Sequence, residues 1–143
     1  MKIARATIHD FLEILNLSII FDVSETGREE KIKQALKNGF VWVAKEGEKV
    51  VGYVLCQLFD TDNKELPNSV FISDLFVLDS HRKQGIGRQL LRAVLTNDFP
   101  ADYAHFSITH DPIEKHLTDF YKSFGFCVSG ETKAGNIKMI KKR

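Results

Sequence analysis

Val77-Leu78-Asp79-Ser80-His81-Arg82-Lys83-Gln84-Gly85-Ile86-Gly87-Arg88 joins an apolar run to an amphipathic one through a basic turn that carries two glycines. The residues before it, 70–77 (VFISDLFV), are rich in β-branched and aromatic side chains and read as a strand buried on both faces. After it, Ile86, Leu90, Leu91, Val94 and Leu95 recur at helical spacing, so a helix is expected to begin near Gly85. The first N–H groups of a helix have no partner inside it, and together with the positive end of the helix dipole they attract an anion. Gly85 and Gly87 let the main chain approach that anion without a Cβ in the way, and Arg82, Lys83 and Arg88 add positive charge beside it. The stretch reads as a turn that holds a phosphate.

What is missing narrows the ligand. A P-loop needs Lys followed by Ser or Thr after the second glycine, whereas Arg88 and Gln89 follow Gly87. A dinucleotide fingerprint needs a third glycine where Leu90 stands, and no acidic residue closes a following strand. What remains is Arg82-Lys83-Gln84-Gly85-Ile86-Gly87 after a strand ending in Leu75-Phe76-Val77, and further along the chain Phe120-Tyr121-Lys122-Ser123-Phe124-Gly125-Phe126. In this order and at this separation the two stretches make the chain resemble the GNAT superfamily of acyl-CoA-dependent N-acetyltransferases, over most of its length.

The resemblance implies a set of roles. Arg82, Lys83, Gln84, Gly85, Ile86, Gly87 and Arg88 would wrap the pyrophosphate of acetyl-CoA. Leu75, Phe76 and Val77 would meet the pantetheine arm through main-chain groups, with the N–H near Val77 available to the thioester carbonyl. Tyr121 would be the acid for the departing thiolate, and Asp74, placed before Leu-x-Val as in the family's polyamine enzymes, would help receive a cationic acceptor. Asp74 is equally well read as an edge-exposed or paired strand residue; for Tyr121 the alternative is a ring packed on its helix beside Leu117 and Phe124, against which the motif's fixed position favours the acid role. The chain departs from the family at Asp79, where proline is usual, and at Lys83, where glycine is frequent and where the main chain must keep φ negative or accept strain. Glu114 and Leu117 stand where Asn and Ala often precede the tyrosine, which puts one common cofactor contact in doubt.

Chemistry constrains the remainder. Acetyl transfer from a thioester to an amine needs a neutral nucleophile, a stabilised oxyanion and a proton for the thiolate. A phenol with an ordinary pKa near 10 stays protonated at neutral pH and can supply that proton. The base is less clear, because a carboxylate titrating near 4 is a poor acceptor unless burial raises it or water relays the proton. His105 and His110, on or just after the strand preceding the Tyr121 helix, are the other titratable candidates. There is no Gly-x-Ser-x-Gly elbow, and neither Cys56 nor Cys127 stands beside a recognisable histidine, so direct attack is expected rather than a covalent intermediate.

At 143 residues, 43% of them hydrophobic, the chain fits one domain over 1–143 with a real core. A formal net charge of +1 leaves no whole-molecule field for nucleic acid, and the basic end (Lys138, Lys141, Lys142, Arg143) reads as a solvated tail. The two cysteines lack metal-site or disulfide spacing, so no metal is expected. No apolar run approaches a membrane span and Met1-Lys2-Ile3-Ala4-Arg5 lacks a signal-peptide core, so a cytoplasmic protein without a membrane partner is expected.

Periodicity and turn chemistry place strands at 2–6, 40–45, 49–59, 70–77, 103–108, 126–129 and 136–141. Helices are expected after a Thr7 cap with Ile8, Phe11, Leu12 and Leu15 inward, at 28–38, after Gly85, and from Asp111 to Phe124. The connection at 46–48 reads as a hairpin and 60–68 as a polar loop. The order β-α-α-β-β-β-α-β-α-β-β, with the resemblance, implies an α/β fold with a mixed, mostly antiparallel central sheet flanked by helices. It also implies an acetyl group moving from acetyl-CoA to a small-molecule or peptide amine, through a ternary complex. In the family the loop between the first two helices borders the acceptor site, and homodimers are frequent, though nothing in this sequence names an interface. Two other readings stay open: a catalytically idle acyl-CoA-binding or sensor module, and a nucleotide-binding protein of another kind.

Overall fold

The computed structural model describes residues 1–61 and 68–143, so most of the loop expected at 60–68 lies outside the described residues. Seven strands are β1 (Lys2–Arg5), β2 (Val41–Glu46), β3 (Lys49–Phe59), β4 (Ser69–Val77), β5 (His105–His110), β6 (Cys127–Glu131) and β7 (Ile137–Lys142). Four helices are α1 (Phe11–Phe21), α2 (Arg28–Asn38), α3 (Ile86–Leu95) and α4 (Lys115–Lys122), and the element order matches the one expected. The strands follow one another in the order β1-β2-β3-β4-β5-β7-β6, with β4 and β5 parallel and the β1–β2, β2–β3, β5–β7 and β6–β7 pairs antiparallel. The result is the mixed α/β architecture. By packing, the chain groups into two compact units, residues 1–56 with 74–98 and residues 57–73 with 99–143.

In the first unit, Thr7 and Asp10 form the expected capping box, but on a 3-10 turn (Ile8–Asp10) that precedes α1. Three residues per turn instead of 3.6 advances the phase, so of the stripe counted from Ile8 only Phe11 and Leu15 stay packed against the core. Ile8 and Leu12 are consequently exposed, and Ile14, Leu17 and Ser18 face inward. Burial alone would raise the pKa of Asp10, but the Thr7 N–H (2.9 Å) and the Lys45 ammonium (2.9 Å) outweigh it and hold this carboxyl below its ordinary value. Asp10→Ala is expected to lower unfolding stability by about 1–2 kcal/mol at pH 7. Because the folded-state pKa is depressed, that contribution is present above about pH 4 and is lost as the pH falls below it. Paired urea melts at pH 7 and pH 3 measure both effects.

Helix α2 buries Ile32, Ala35 and Leu36 and closes at Gly39, as its spacing predicts. Glu46 pairs with Lys49, so the β2–β3 connection is Gly47-Glu48, one residue shorter than expected. Helix α3 buries Ile86, Leu90, Leu91 and Val94, each contributing roughly 1.5–3 kcal/mol of hydrophobic stabilisation. Strand β4 alternates instead of being buried throughout: Val70, Ile72, Asp74 and Phe76 are buried and Phe71, Ser73, Leu75 and Val77 half-buried.

In the second unit, β5 begins at His105 rather than at 103, because Tyr103 belongs to a turn closed on Pro100 and its hydroxyl bonds Asp60 at 2.6 Å. The helix expected from Asp111 is also delayed. Asp111 Oδ1 does accept the Ile113 N–H (2.9 Å) and its carbonyl accepts the Glu114 N–H, but Glu114 then takes φ −87° and ψ 67°. That is non-helical backbone, and α4 starts afresh at Lys115.

Candidate functional site

The turn between β4 and α3 is built by a 3-10 turn (Asp79–His81) and two residues in the left-handed region, Lys83 (φ 63°) and Gly85 (φ 79°). Gly85 adopts this conformation without a steric cost, whereas Lys83 pays one, so the strain its place in the turn predicts is present. No side chain caps α3, and its first main-chain bond runs from Gln89 N–H to the Gly85 carbonyl. Among the described residues, no main-chain hydrogen bond consumes the N–H groups of Lys83, Gln84, Gly85, Ile86 or Gly87. Arg82, Lys83, Gln84, Gly85 and Arg88 are exposed, Gly87 is half-buried, and Ile86 anchors the turn in the core. Arg82 braces the turn: its Nε donates to the Val77 carbonyl at 3.0 Å and lies 3.2 Å from Asp79 Oδ1, and its guanidinium sits over the Phe76 ring.

The strand leading in is oriented by β3. The Leu78 N–H donates to the Val51 carbonyl at 2.9 Å, and the Phe76 carbonyl lies 2.9 Å from where a Cβ on Gly52 would stand. Main-chain groups alternate sides along a strand, so those of Phe76 face β3 while those of Leu75 and Val77 face away from it. The ladder from β4 to β5 covers Ser69–Phe71 against His105–Ser107. Gly52 was not singled out from the sequence; a lone glycine inside an otherwise apolar strand is the signal that marks such a close approach.

Asp74, one residue before Leu75, is 1% exposed and bonded through both carboxylate oxygens. Its Oδ1 accepts from Lys31 Nζ at 2.8 Å and its Oδ2 from the Tyr53 hydroxyl at 2.7 Å, while the same Lys31 ammonium reaches Glu25 Oε2 at 2.7 Å. Burial, and then the Asp74 charge, push the Tyr53 phenol far above its ordinary pKa, so it stays a donor. Burial likewise drives the Cys56 thiol up and leaves it without thiolate character. Neither Lys31 nor Tyr53 was legible as a site residue: one reads as a helix-surface lysine, the other as a strand aromatic.

In the second unit, Tyr121 is 4% exposed on α4, its ring set against Phe120 (5.2 Å between centroids), Phe126 (5.9 Å) and His110 (6.1 Å). Burial, with a smaller push from Glu114, raises the Tyr121 phenol well above its ordinary pKa. His110 is buried, with Nδ1 3.0 Å from the Asp111 carbonyl and Nε2 3.0 Å from Thr118 Oγ1. His105 is half-buried, and its Nδ1 has no hydrogen-bond partner among the described residues. No cluster of three or more His, Cys, Asp or Glu that could hold a metal occurs among the described residues.

The family model described as Acetyltransferase (GNAT) family matches residues 8–126. The chain belongs to the GNAT family of acetyltransferases. Among curated proteins, this GNAT chain is 29% identical over 121 residues to N-acetyltransferase 8 of Homo sapiens, covering 84% of this chain and 51% of that protein. It is 30% identical over 138 residues to N-acetyltransferase family 8 member 2 of Rattus norvegicus, covering 87% and 59%. The chain thus spans about half to three fifths of the length of these relatives. Among solved structures, a ribosomal-protein-alanine N-acetyltransferase from Brucella melitensis superposes with a TM-score of 0.80 at 20% identity, covering 100% of both chains. A diaminobutyrate acetyltransferase from Paenibacillus lautus, in complex with L-2,4-diaminobutyric acid and coenzyme A, gives 0.77 at 15% identity, covering 99% of this chain and 93% of that one. At these identities the superpositions show a shared GNAT fold.

Proposed function

We propose that this chain transfers an acetyl group from acetyl-CoA to a primary amine, small-molecule or peptide, by direct attack within a ternary complex. The observation that carries the reading is the exposed turn at the start of α3, where five successive main-chain N–H groups have no main-chain partner among the described residues and three cationic side chains stand beside them. Such a turn suits a diphosphate. The family match and the coenzyme A held by a relative of the same fold support acetyl-CoA as its source.

In the step itself the amine nitrogen forms a bond to the thioester carbonyl carbon, the C–S bond breaks, the amine loses a proton and the thiolate gains one. Main-chain groups of Leu75 and Val77, directed away from β3, pair with the pantetheine amides and the thioester oxygen. Tyr121, kept protonated by burial, donates to the departing sulfur. Asp74 is ion-paired to Lys31 and acts as a fixed charge, and the amine proton leaves through solvent. Isothermal titration with CoA, followed by acetylation of an amine panel, tests the reading; ATP or NAD binding in place of CoA overturns it. A second reading, a CoA-binding module without turnover, draws on the near-complete burial of Tyr121. CoA binding without acetylation of any amine selects it.

The turn yields one further expectation. Lys83→Gly relieves a left-handed residue, raising unfolding stability by about 0.5–1 kcal/mol, and removes a cation facing the diphosphate, weakening CoA binding several-fold. Opposite signs in thermal melts and CoA titration mark the residue as strained for binding.

A further inference from the structure

The ε-ammonium of Lys31 sits between two carboxylates, 2.8 Å from Asp74 Oδ1 and 2.7 Å from Glu25 Oε2. Asp74 is fixed in turn by the Tyr53 hydroxyl on its other oxygen, and Glu25 lies 3.9 Å from Arg28 Nε, which donates to Ser18 Oγ. Side-chain exposures of 1% for Asp74, 13% for Lys31 and 25% for Glu25 make a gradient from the core outward. A pocket of about 410 Å³, bordered by Leu15, Ile19, Glu25 and Arg28, adjoins the outer carboxylate. Two anionic acceptors converging on one R–NH3+ group, with a buried phenol orienting the inner one, are what a protein needs to bind a primary ammonium, which offers three donors and no acceptor.

Resting on the acetyl-transfer reading, whose acceptor is a primary amine, we propose that Asp74, Glu25 and Tyr53 form a primary-ammonium subsite that Lys31 fills from within the chain. Asp74 stands one residue before Leu75, the first of the β4 residues proposed to meet the cofactor. With Lys31 between the two carboxylates and Arg28 3.9 Å from Glu25, two cations balance two anions, and the second ammonium of a dication meets like charge at close range instead of an unpaired anion. Lys31 is thereby a specificity determinant: it limits acceptors to amines with a single cationic group and turns away diamines and polyamines.

Lys31→Ala removes three carbons and the ammonium, the outline of n-propylammonium. The variant is expected to show a saturable rise in melting temperature with n-propylammonium, no response to tetramethylammonium, and no response to either in the wild type. In the same variant the kcat/KM ratio of 1,4-diaminobutane over n-butylamine is expected to rise about tenfold or more over the wild-type ratio. Asp74→Asn in the Lys31→Ala background should abolish both effects. Since removing one partner of a buried ion pair is strongly destabilising, Lys31→Ala that fails to fold is refolded with each cation. Recovery with n-propylammonium alone supports the subsite, and equal failure with both cations overturns it. Folded Lys31→Ala that binds CoA normally but ignores n-propylammonium also overturns it, and binding with an unchanged acceptor ratio overturns the control of acceptor choice. The cation shift requires neither CoA nor turnover, so failure of the acetyl-transfer reading appears separately, as wild-type protein that does not bind CoA or acetylate amines.

Discussion

Tyr121→Phe is expected to lower kcat by about 10²–10⁴-fold, the range a positioned proton donor contributes, while CoA affinity and melting temperature stay near wild type. The substitution removes one oxygen and keeps the ring, so the packing against Phe120, Phe126 and His110 survives. What is lost is the group proposed to donate to the departing thiolate. The pH profile adds an independent check. An ordinary phenol titrates near 10, and burial moves that of Tyr121 upward, so its proton is retained throughout the range in which amines and thiols titrate. The alkaline side of the kcat profile should therefore show no loss of activity assignable to Tyr121 below about pH 10. Undiminished turnover in Tyr121→Phe takes Tyr121 out of the step, whereas an alkaline limb below that pH which the substitution removes keeps Tyr121 in the step and overturns the upward shift of its phenol.

Gly52→Val is expected to damage both folding stability and CoA binding. A Cβ at Gly52 would stand 2.9 Å from the Phe76 carbonyl oxygen, 3.3 Å from Val77 Cγ2 and 3.4 Å from Leu90 Cδ1. The first neighbour is main chain and cannot swing aside, so β4 must shift at the residues proposed to meet the pantetheine. Overpacking of this kind costs about 1–3 kcal/mol, and valine adds two methyl groups to the conflict. A fall in melting temperature of roughly 5 °C or more is expected. CoA affinity should weaken by more than about tenfold, since loss of a well-placed polar contact is worth that much. Gly52→Ala should show both effects in smaller measure. Wild-type melting and CoA titration in Gly52→Val would show that β3 and β4 part without cost.

The parts of the fold that were legible are those with local causes. Ile32, Ala35 and Leu36 recur at helical spacing before Gly39, and α2 ends there. Gly85 opens α3 because a turn after an apolar strand demanded a residue tolerant of positive φ. Misjudged boundaries arose where two local signals competed. Asp111 and Pro112 do start a turn, yet Glu114 breaks it before α4. Thr7 does cap, yet the cap sits on a 3-10 turn, and the apolar stripe of α1 therefore begins elsewhere.

The order of elements, the strand–turn–helix at residues 69–95 and its basic, glycine-bearing character follow from the amino-acid sequence alone, because periodicity, capping and backbone tolerance act over a few neighbouring residues. Only the tertiary structure decided what surrounds Asp74 and Gly52. Lys31 and Asp74 are 43 positions apart, Tyr53 and Asp74 21, and no local pattern records that their charges and hydroxyl meet in the core. The physical reason is that ion pairing and close backbone approach depend on distance through space, which packing sets and chain spacing does not.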